Sequence, residues 1–310
     1  MPSLFARSLS ARNRLGKFQV LVCVLLFLYL STRLPIFLCR PPTGLSDVWR
    51  SPQLRDGITN RHVTICIPAL PKDLLEGGGE TFRRTLNSIR LQTLPPREVI
   101  VGLSESTAEE GSKMWHEFRE TLEGIPLRII PTISKGSVGA NRNRAAVSAR
   151  SRYVTFFDAD GDLMHPRRIE LIQMAFERYS DSVLVLHTFT SEKAVAAEDV
   201  ASFSVVSPKE LCTANKQRIR SNAFNRLIGS DTREWLLPDI HHGHLSVRTD
   251  YISSTPFSED FDGHEDSSFV NTVVEKTSCS SARLAVFLRV PLTLNYVPRS
   301  LKAKMTKSSE

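Results

Sequence analysis

From residue 62 onward the apolar positions of this 310-residue chain follow two alternating rhythms. Short apolar runs bounded by Pro, Gly or polar residues read as strands over 63–67, 98–102, 126–130, 152–157 and 183–186. Between them apolar residues recur at helical spacing. Phe82, Leu86 and Ile89 mark a helix over 80–91, and Met114, Trp115, Phe118 and Leu122 mark another over 108–122. Ser137 stands as a candidate N-cap for a helix over 137–150, and Pro166 sits near the first turn of one over 166–179. The alternation predicts an α/β fold: a Rossmann-like, mostly parallel sheet with helices on both faces. Beyond residue 188 the rhythm loosens. Residues 190–235 read as an insertion over the cleft, followed by a strand over 243–248, a helix over 264–274 and an apolar run over 284–297 interrupted by Pro291.

The first sixty residues differ. Residues 18–39 are strongly apolar, uncharged from Phe18 to Thr32, and reach the ~20 residues that span a bilayer. Arg33 can snorkel to the interface. Arg7, Arg12, Arg14 and Lys17 precede the stretch and predict a cytosolic N-terminus. The expected organisation is a basic cytosolic tail over 1–17, a transmembrane signal anchor over 18–39, a Pro- and Gly-rich linker over 40–61, a globular domain over 62–298 and a basic tail over 299–310. Cys23 and the lack of a small-x-small site near Ser31 weigh against a cleaved signal peptide.

A net charge of +7 is concentrated at the two ends, with no basic block interleaved with aromatics, which argues against a nucleic-acid partner. None of the five cysteines has metal-ligand spacing. Cys66 falls inside the first strand and reads as a small buried hydrophobe. One disulfide beyond the span is possible, its pairing open.

The candidate chemistry centres on Tyr153-Val-Thr-Phe-Phe-Asp158-Ala-Asp160-Gly-Asp162, a buried strand running into three carboxylates. Strand alternation puts Asp158 and Asp160 on one side of the backbone. Two carboxylates so close repel in a dry cleft unless a divalent cation joins them, and hard oxygen ligands suit Mg²⁺ or Mn²⁺. Asp162 reads either as a residue that supports the ligands from behind or as a solvated turn residue. Of the histidines in His241-His242-Gly243-His244, positions 242 and 244 share a face if the segment is a strand and could ligate together, but no cysteine pair completes a zinc set.

The order Val63-Thr-Ile-Cys-Ile-Pro68, Thr85-Leu-Asn-Ser-Ile-Arg-Leu-Gln92, Glu98-Val-Ile-Val101, Arg142-Asn143, Phe157-Asp-Ala-Asp160 and Gly263-His-Glu265-Asp266 resembles family-2-type glycosyltransferases of the GT-A fold. The resemblance covers residues 62 to 275. It implies transfer of a sugar from a nucleotide-sugar donor to an acceptor hydroxyl, with Asp158 near the ribose and Asp160 on Mn²⁺ or Mg²⁺. Some enzymes of this fold use one His as a third metal ligand, which makes His244 a candidate, and Trp235 is a candidate acceptor platform, though a core role is the commoner one. The resemblance places Pro68, Arg142 and Asn143 at the donor, and makes Asp266 the base of an inverting reaction with Glu265 orienting the acceptor. Two positions depart from the family pattern. Ser104, followed by Glu105, stands where an Asp reads the base, and either can hydrogen-bond it. Asn141 stands where Ala is usual.

The expected protein is therefore a metal-dependent glycosyltransferase, a single-pass type II protein of the Golgi or another secretory membrane with its catalytic domain in the lumen. Its partners would be a nucleotide sugar and a glycan, protein or lipid acceptor. The alternatives are a catalytically inactive GT-A domain serving as a membrane-tethered carbohydrate-binding or scaffold protein, and a nucleotidyltransferase built on the same sheet.

Overall fold

The structure, a computed structural model, describes residues 61–191, 204–206, 209–213, 216–217, 242–260, 264–279 and 284–294. The expected anchor over 18–39, the linker through residue 60, Trp235, His241 and the tail over 299–310 lie outside the described residues. Among the described residues no helix is long and apolar enough to cross a membrane.

Among the described residues nine strands form one sheet: β1 (Val63–Ala69), β2 (Glu98–Leu103), β3 (Leu127–Pro131), β4 (Tyr153–Phe156), β5 (Leu163–Met164), β6 (Ser182–Phe189), β7 (Ser204–Val206), β8 (Ser246–Arg248) and β9 (Leu284–Leu294). Their order is β3-β2-β1-β4-β8-β6-β9-β5, with β7 on β9. The first four are parallel, in register Ile65↔Val99 and Ile65↔Thr155. The rest of the sheet corrects the expectation of mostly parallel pairing. β8 runs antiparallel to both β4 and β6, β6 and β9 are parallel, and β5 and β7 run antiparallel to β9. A strand's own apolar pattern says which faces are buried, not the direction of its neighbour.

The helices that bear on the site are α1 (Pro71–Leu75), α2 (Glu80–Arg90), α3 (Ala108–Phe118), α4 (Val138–Val147), α5 (Arg168–Arg178), α6 (Thr249–Ser254) and α7 (Glu265–Ser278). Period-two alternation sorts strand side chains into two cores. Val63, Ile65, Ile67, Val99 and Val101 pack with Phe82, Leu86 and Ile89 of α2, Phe118 of α3 and Ile172 of α5. Cys66, Ile100, Val154 and Phe156 pack with Ala145 of α4, Ile252 of α6 and Phe269 and Val273 of α7. Helices therefore cover both faces.

Two local expectations change. Pro68 lies inside β1 rather than ending it, because pairing with β4 stops at Cys66↔Phe156 and the missing N–H costs no ladder bond on that side. Pro291 lies inside β9, opposite Thr188 where the ladder shifts register. The chain runs from β1 to β2 and β3 on one side and takes up β4 on the other. The crevice beyond the carboxyl ends of β1 and β4 is thus the switch point at which open α/β sheets bind ligands.

Candidate active site

The backbone leaving β4 is tied down one peptide at a time. Phe156 N–H donates to Leu245 O at 2.9 Å, Phe157 N–H to Cys66 O at 3.1 Å, and Asp158 N–H to His244 Nε2 at 3.1 Å. The His244 ring is fully buried, stacks on Phe157 at 4.3 Å between centroids, and places Nδ1 2.8 Å from Thr293 Oγ1. Burial pushes its pKa below the usual histidine value, only partly offset by the hydrogen bond with Asp158. A neutral ring with Nδ1–H donating to Thr293 accepts at Nε2 from the Asp158 peptide, so its one lone pair is already used. In this structure the ring thus braces the Asp158 peptide. The strand expected over 243–248 starts late: His242–His244 is a 3₁₀ turn and β8 begins at Ser246.

Arg142 is the hub. Ser137 caps α4, its hydroxyl accepting from Ala140 N–H at 3.1 Å, and the second turn of the helix then points Arg142 into the crevice. The guanidinium is 2% exposed; Nη1 lies 2.6 Å from Glu265 Oε1 and Nη2 lies 3.3 Å from Asp158 Oδ1. Residues 16 and 123 positions apart in sequence are thereby joined through one cation. α4 and the segment before α7 approach so closely that a Cβ on Gly139 would stand 2.0 Å from Ser258 O. Asn143 braces the same segment: its amide donates to Phe257 O at 3.0 Å and to Glu259 at 3.1 Å, and its carbonyl accepts from Phe257 N–H at 2.9 Å. Asn143 thus holds the wall of the crevice.

The two departures from the family pattern meet. Ser104 is fully buried, and its hydroxyl donates to Asn141 Oδ1 at 2.6 Å. Asn141 also donates from Nδ2 to Ala69 O at 3.0 Å and accepts from Arg144 Nη1 at 2.7 Å. Ser104 is therefore spent inside the fold. The neighbouring Glu105 is exposed, with a left-handed backbone at φ 57° that a non-glycine residue adopts only under tertiary constraint. Pro68 lies one strand away, paired with Gly102.

Asp160 follows in a turn completed by Gly161 at φ 88°, close enough to act electrostatically on His244. Asp162 is only 1% exposed, which corrects its reading as a solvated turn residue. Asp266 sits half-buried beside Glu265 in the first turn of α7, where the helix dipole favours acids. Among the described residues no three potential ligands cluster as a ready-made metal cage.

The profile of glycosyl transferase family 2 matches residues 64–253, well over half of the chain, and spans β1 through α6. The chain belongs to glycosyl transferase family 2. Family 2 is a family of transferases, and the described residues of this member form a mixed α/β sheet with helices on both faces. No curated protein matches it significantly. Solved structures that resemble it include S. aureus TarS 1-349, at 14% identity over 75% of this chain and 60% of that one, TM-score 0.48. Glucosyl-3-phosphoglycerate synthase from Mycobacterium tuberculosis, in complex with Mn²⁺, UDP and phosphoglyceric acid, matches at 15% over 80% and 75%, TM-score 0.47. A mannosyltransferase from Pyrobaculum calidifontis, in complex with GDP-Man and Mn²⁺, matches at 14% over 78% and 59%, TM-score 0.49. The chain spans less than two thirds of the TarS and mannosyltransferase chains.

One buried cation beneath the site carries no mark in the sequence: in the adjacent pair Arg167-Arg168 at a helix start, either side chain could face solvent. The first is partly exposed and pairs with Glu170 at 2.8 Å; the second is fully buried.

Proposed function

We propose that this chain transfers a sugar from a nucleotide-sugar donor to an acceptor hydroxyl with inversion at the anomeric carbon. The supporting observation is the buried bridge Asp158–Arg142–Glu265, which joins the donor-side carboxylate to the acidic pair of α7 at the switch point of the sheet. In this reading the donor's diphosphate lies over the end of β4 and the N-terminus of α4, whose N–H groups favour an anion. Asp160, with Asp158, would hold Mn²⁺ or Mg²⁺, which neutralises charge on the departing diphosphate when bound. Arg142 holds Glu265 in place, so Glu265 orients the acceptor and Asp266 serves as base. The acceptor oxygen forms the new bond to the anomeric carbon as its proton passes to the Asp266 carboxylate. The nucleoside diphosphate leaves on the opposite face with the bonding electron pair.

The same reading places the domain in an oxidising compartment. Cys212 and Cys279 form a disulfide while Cys66 stays reduced and buried. Such bonds persist in secretory and extracellular settings and are rare in the cytosol. This supports a luminal, type II arrangement in the Golgi or a neighbouring membrane with residues 18–39 as anchor.

The test is a panel of nucleotide sugars offered with Mn²⁺ to the full chain, with thermal stabilisation and release of free nucleoside diphosphate as readouts. Asp160→Ala is expected to abolish release. A wild-type chain that neither binds nor cleaves any member sinks the proposal, and release of pyrophosphate points to nucleotidyl transfer instead.

A further inference from the structure

Arg168 opens α5 and is fully buried directly beneath the peptide that leads into Asp158. Its guanidinium donates to five acceptors: Thr155 Oγ1 at 2.9 Å, Phe156 O at 3.1 Å, His244 O at 2.7 Å, Thr293 Oγ1 at 3.0 Å and Leu292 O at 3.4 Å. All five are neutral. The cation also lies 5.0 Å from the centroid of the Phe157 ring, on which His244 stacks. The carboxylate that acts on it is Asp158, through space rather than by contact. Burial pulls its pKa down to about 9, which still leaves it charged at neutral pH.

A fully buried cation with no carboxylate in contact is costly, and an apolar side chain of similar size commonly packs as well or better. The five hydrogen bonds, all from Nη1 and Nη2, offset part of that cost, while the buried Nε makes none. They do not explain why a charge stands there. Its location does: the positive charge backs the turn that, on the reading proposed above, receives a diphosphate. In a low-dielectric interior its field reaches that turn with little screening.

We propose that Arg168 is a positioning residue that holds the Phe156–Asp158 peptide from below and supplies a buried counter-charge for the donor's diphosphate. It touches neither substrate nor metal and acts through the β4 backbone and His244. The proposal rests on the donor-binding assignment.

Calorimetric titration of the full chain with UDP, GDP and their monophosphates, in Mn²⁺, tests it. Arg168→Met and Arg168→Gln remove the charge, Arg168→Lys keeps it with fewer hydrogen bonds, and Thr293→Val removes a hydrogen-bond partner without touching charge. The neutral variants are expected to weaken the diphosphate by about tenfold or more and the monophosphate by about threefold or less. Arg168→Lys is expected to stay within about threefold of wild type for both, even where its Tm falls, and Thr293→Val to leave the diphosphate-to-monophosphate ratio unchanged. Should Arg168→Met fail to fold, the Gln and Lys variants carry the comparison. Equal losses for both nucleotides, or none, overturn the counter-charge while leaving the donor site intact. A wild-type chain that binds no nucleoside diphosphate overturns the donor site itself.

Discussion

Replacing Arg142 by Met isolates the energetics of the site. The guanidinium is 2% exposed, Glu265 8% and Asp158 15%, so water screens neither ion pair well. Removing one partner of a buried pair costs about 3–5 kcal/mol, mostly because the other charge is left uncompensated. Here one cation serves two carboxylates, but the costs do not simply double. Asp158 is partly exposed and keeps its backbone bond to His244, and Arg168 remains beneath it. We therefore expect a loss of about 3–5 kcal/mol, against a total of about 5–15 kcal/mol for a domain. Glu265→Gln leaves Arg142 with Asp158 and should cost less, about 1–3 kcal/mol. Combining Arg142→Met with Glu265→Gln should cost less than the sum of the two single changes, because the double variant no longer buries an unpaired carboxylate at 265. Urea unfolding at neutral pH measures all four proteins through their midpoints, provided the slopes agree. A loss below about 1 kcal/mol for Arg142→Met, the range of exposed pairs, would refute the claim that these charges are buried together.

Further outcomes follow from other parts of the molecule. His165 is fully buried, and its pKa falls from 6.5 to about 4 through burial, then through the nearby Arg167. Between those values the unfolded chain binds the proton and the native one does not, so stability is full above pH ~6.5 and declines toward pH ~4. Burial shifts His187 and His244 the same way. The urea midpoint should therefore drop through this window, and His165→Gln should flatten the slope by up to one proton; an unchanged slope counts against a neutral buried ring. Ser104→Asp would press a carboxylate against Asn141 Oδ1 and the tight Gly136 backbone. Combined with Asn141→Ala it should recover part of the loss, with a coupling of about 0.5–3 kcal/mol in a melting series, whereas strict additivity would deny the contact. Cys212→Ser opens a link spanning 67 positions and should cost about 4 kcal/mol on the chain-entropy estimate, read by unfolding with and without reductant; equal stability of both forms would argue that the bond is absent.

Local periodicity was enough for the parallel half of the fold. Phe82, Leu86 and Ile89 announce α2 because residues three and four apart share a helix face, and Val63, Ile65 and Ile67 announce β1 because alternate residues share a sheet face. The N-cap Ser137, the carboxylates at the end of β4 and the acids opening α7 were also legible as one-dimensional signals. So were the alternatives, since a turn residue and a ligand have the same letters.

Three features needed the chain in space. The antiparallel placement of β8 depends on where a segment returns, which its own hydrophobicity does not encode. The role of His244 depends on which atoms its two nitrogens meet, and those belong to residues 158 and 293. The union of Arg142 with Asp158 and Glu265 depends on α4 and α7 closing over Gly139. Sequence sets what each residue can do through its local conformation and chemistry. Packing sets what it does, because a buried charge or hydrogen bond takes its energy from the particular neighbour that replaces water.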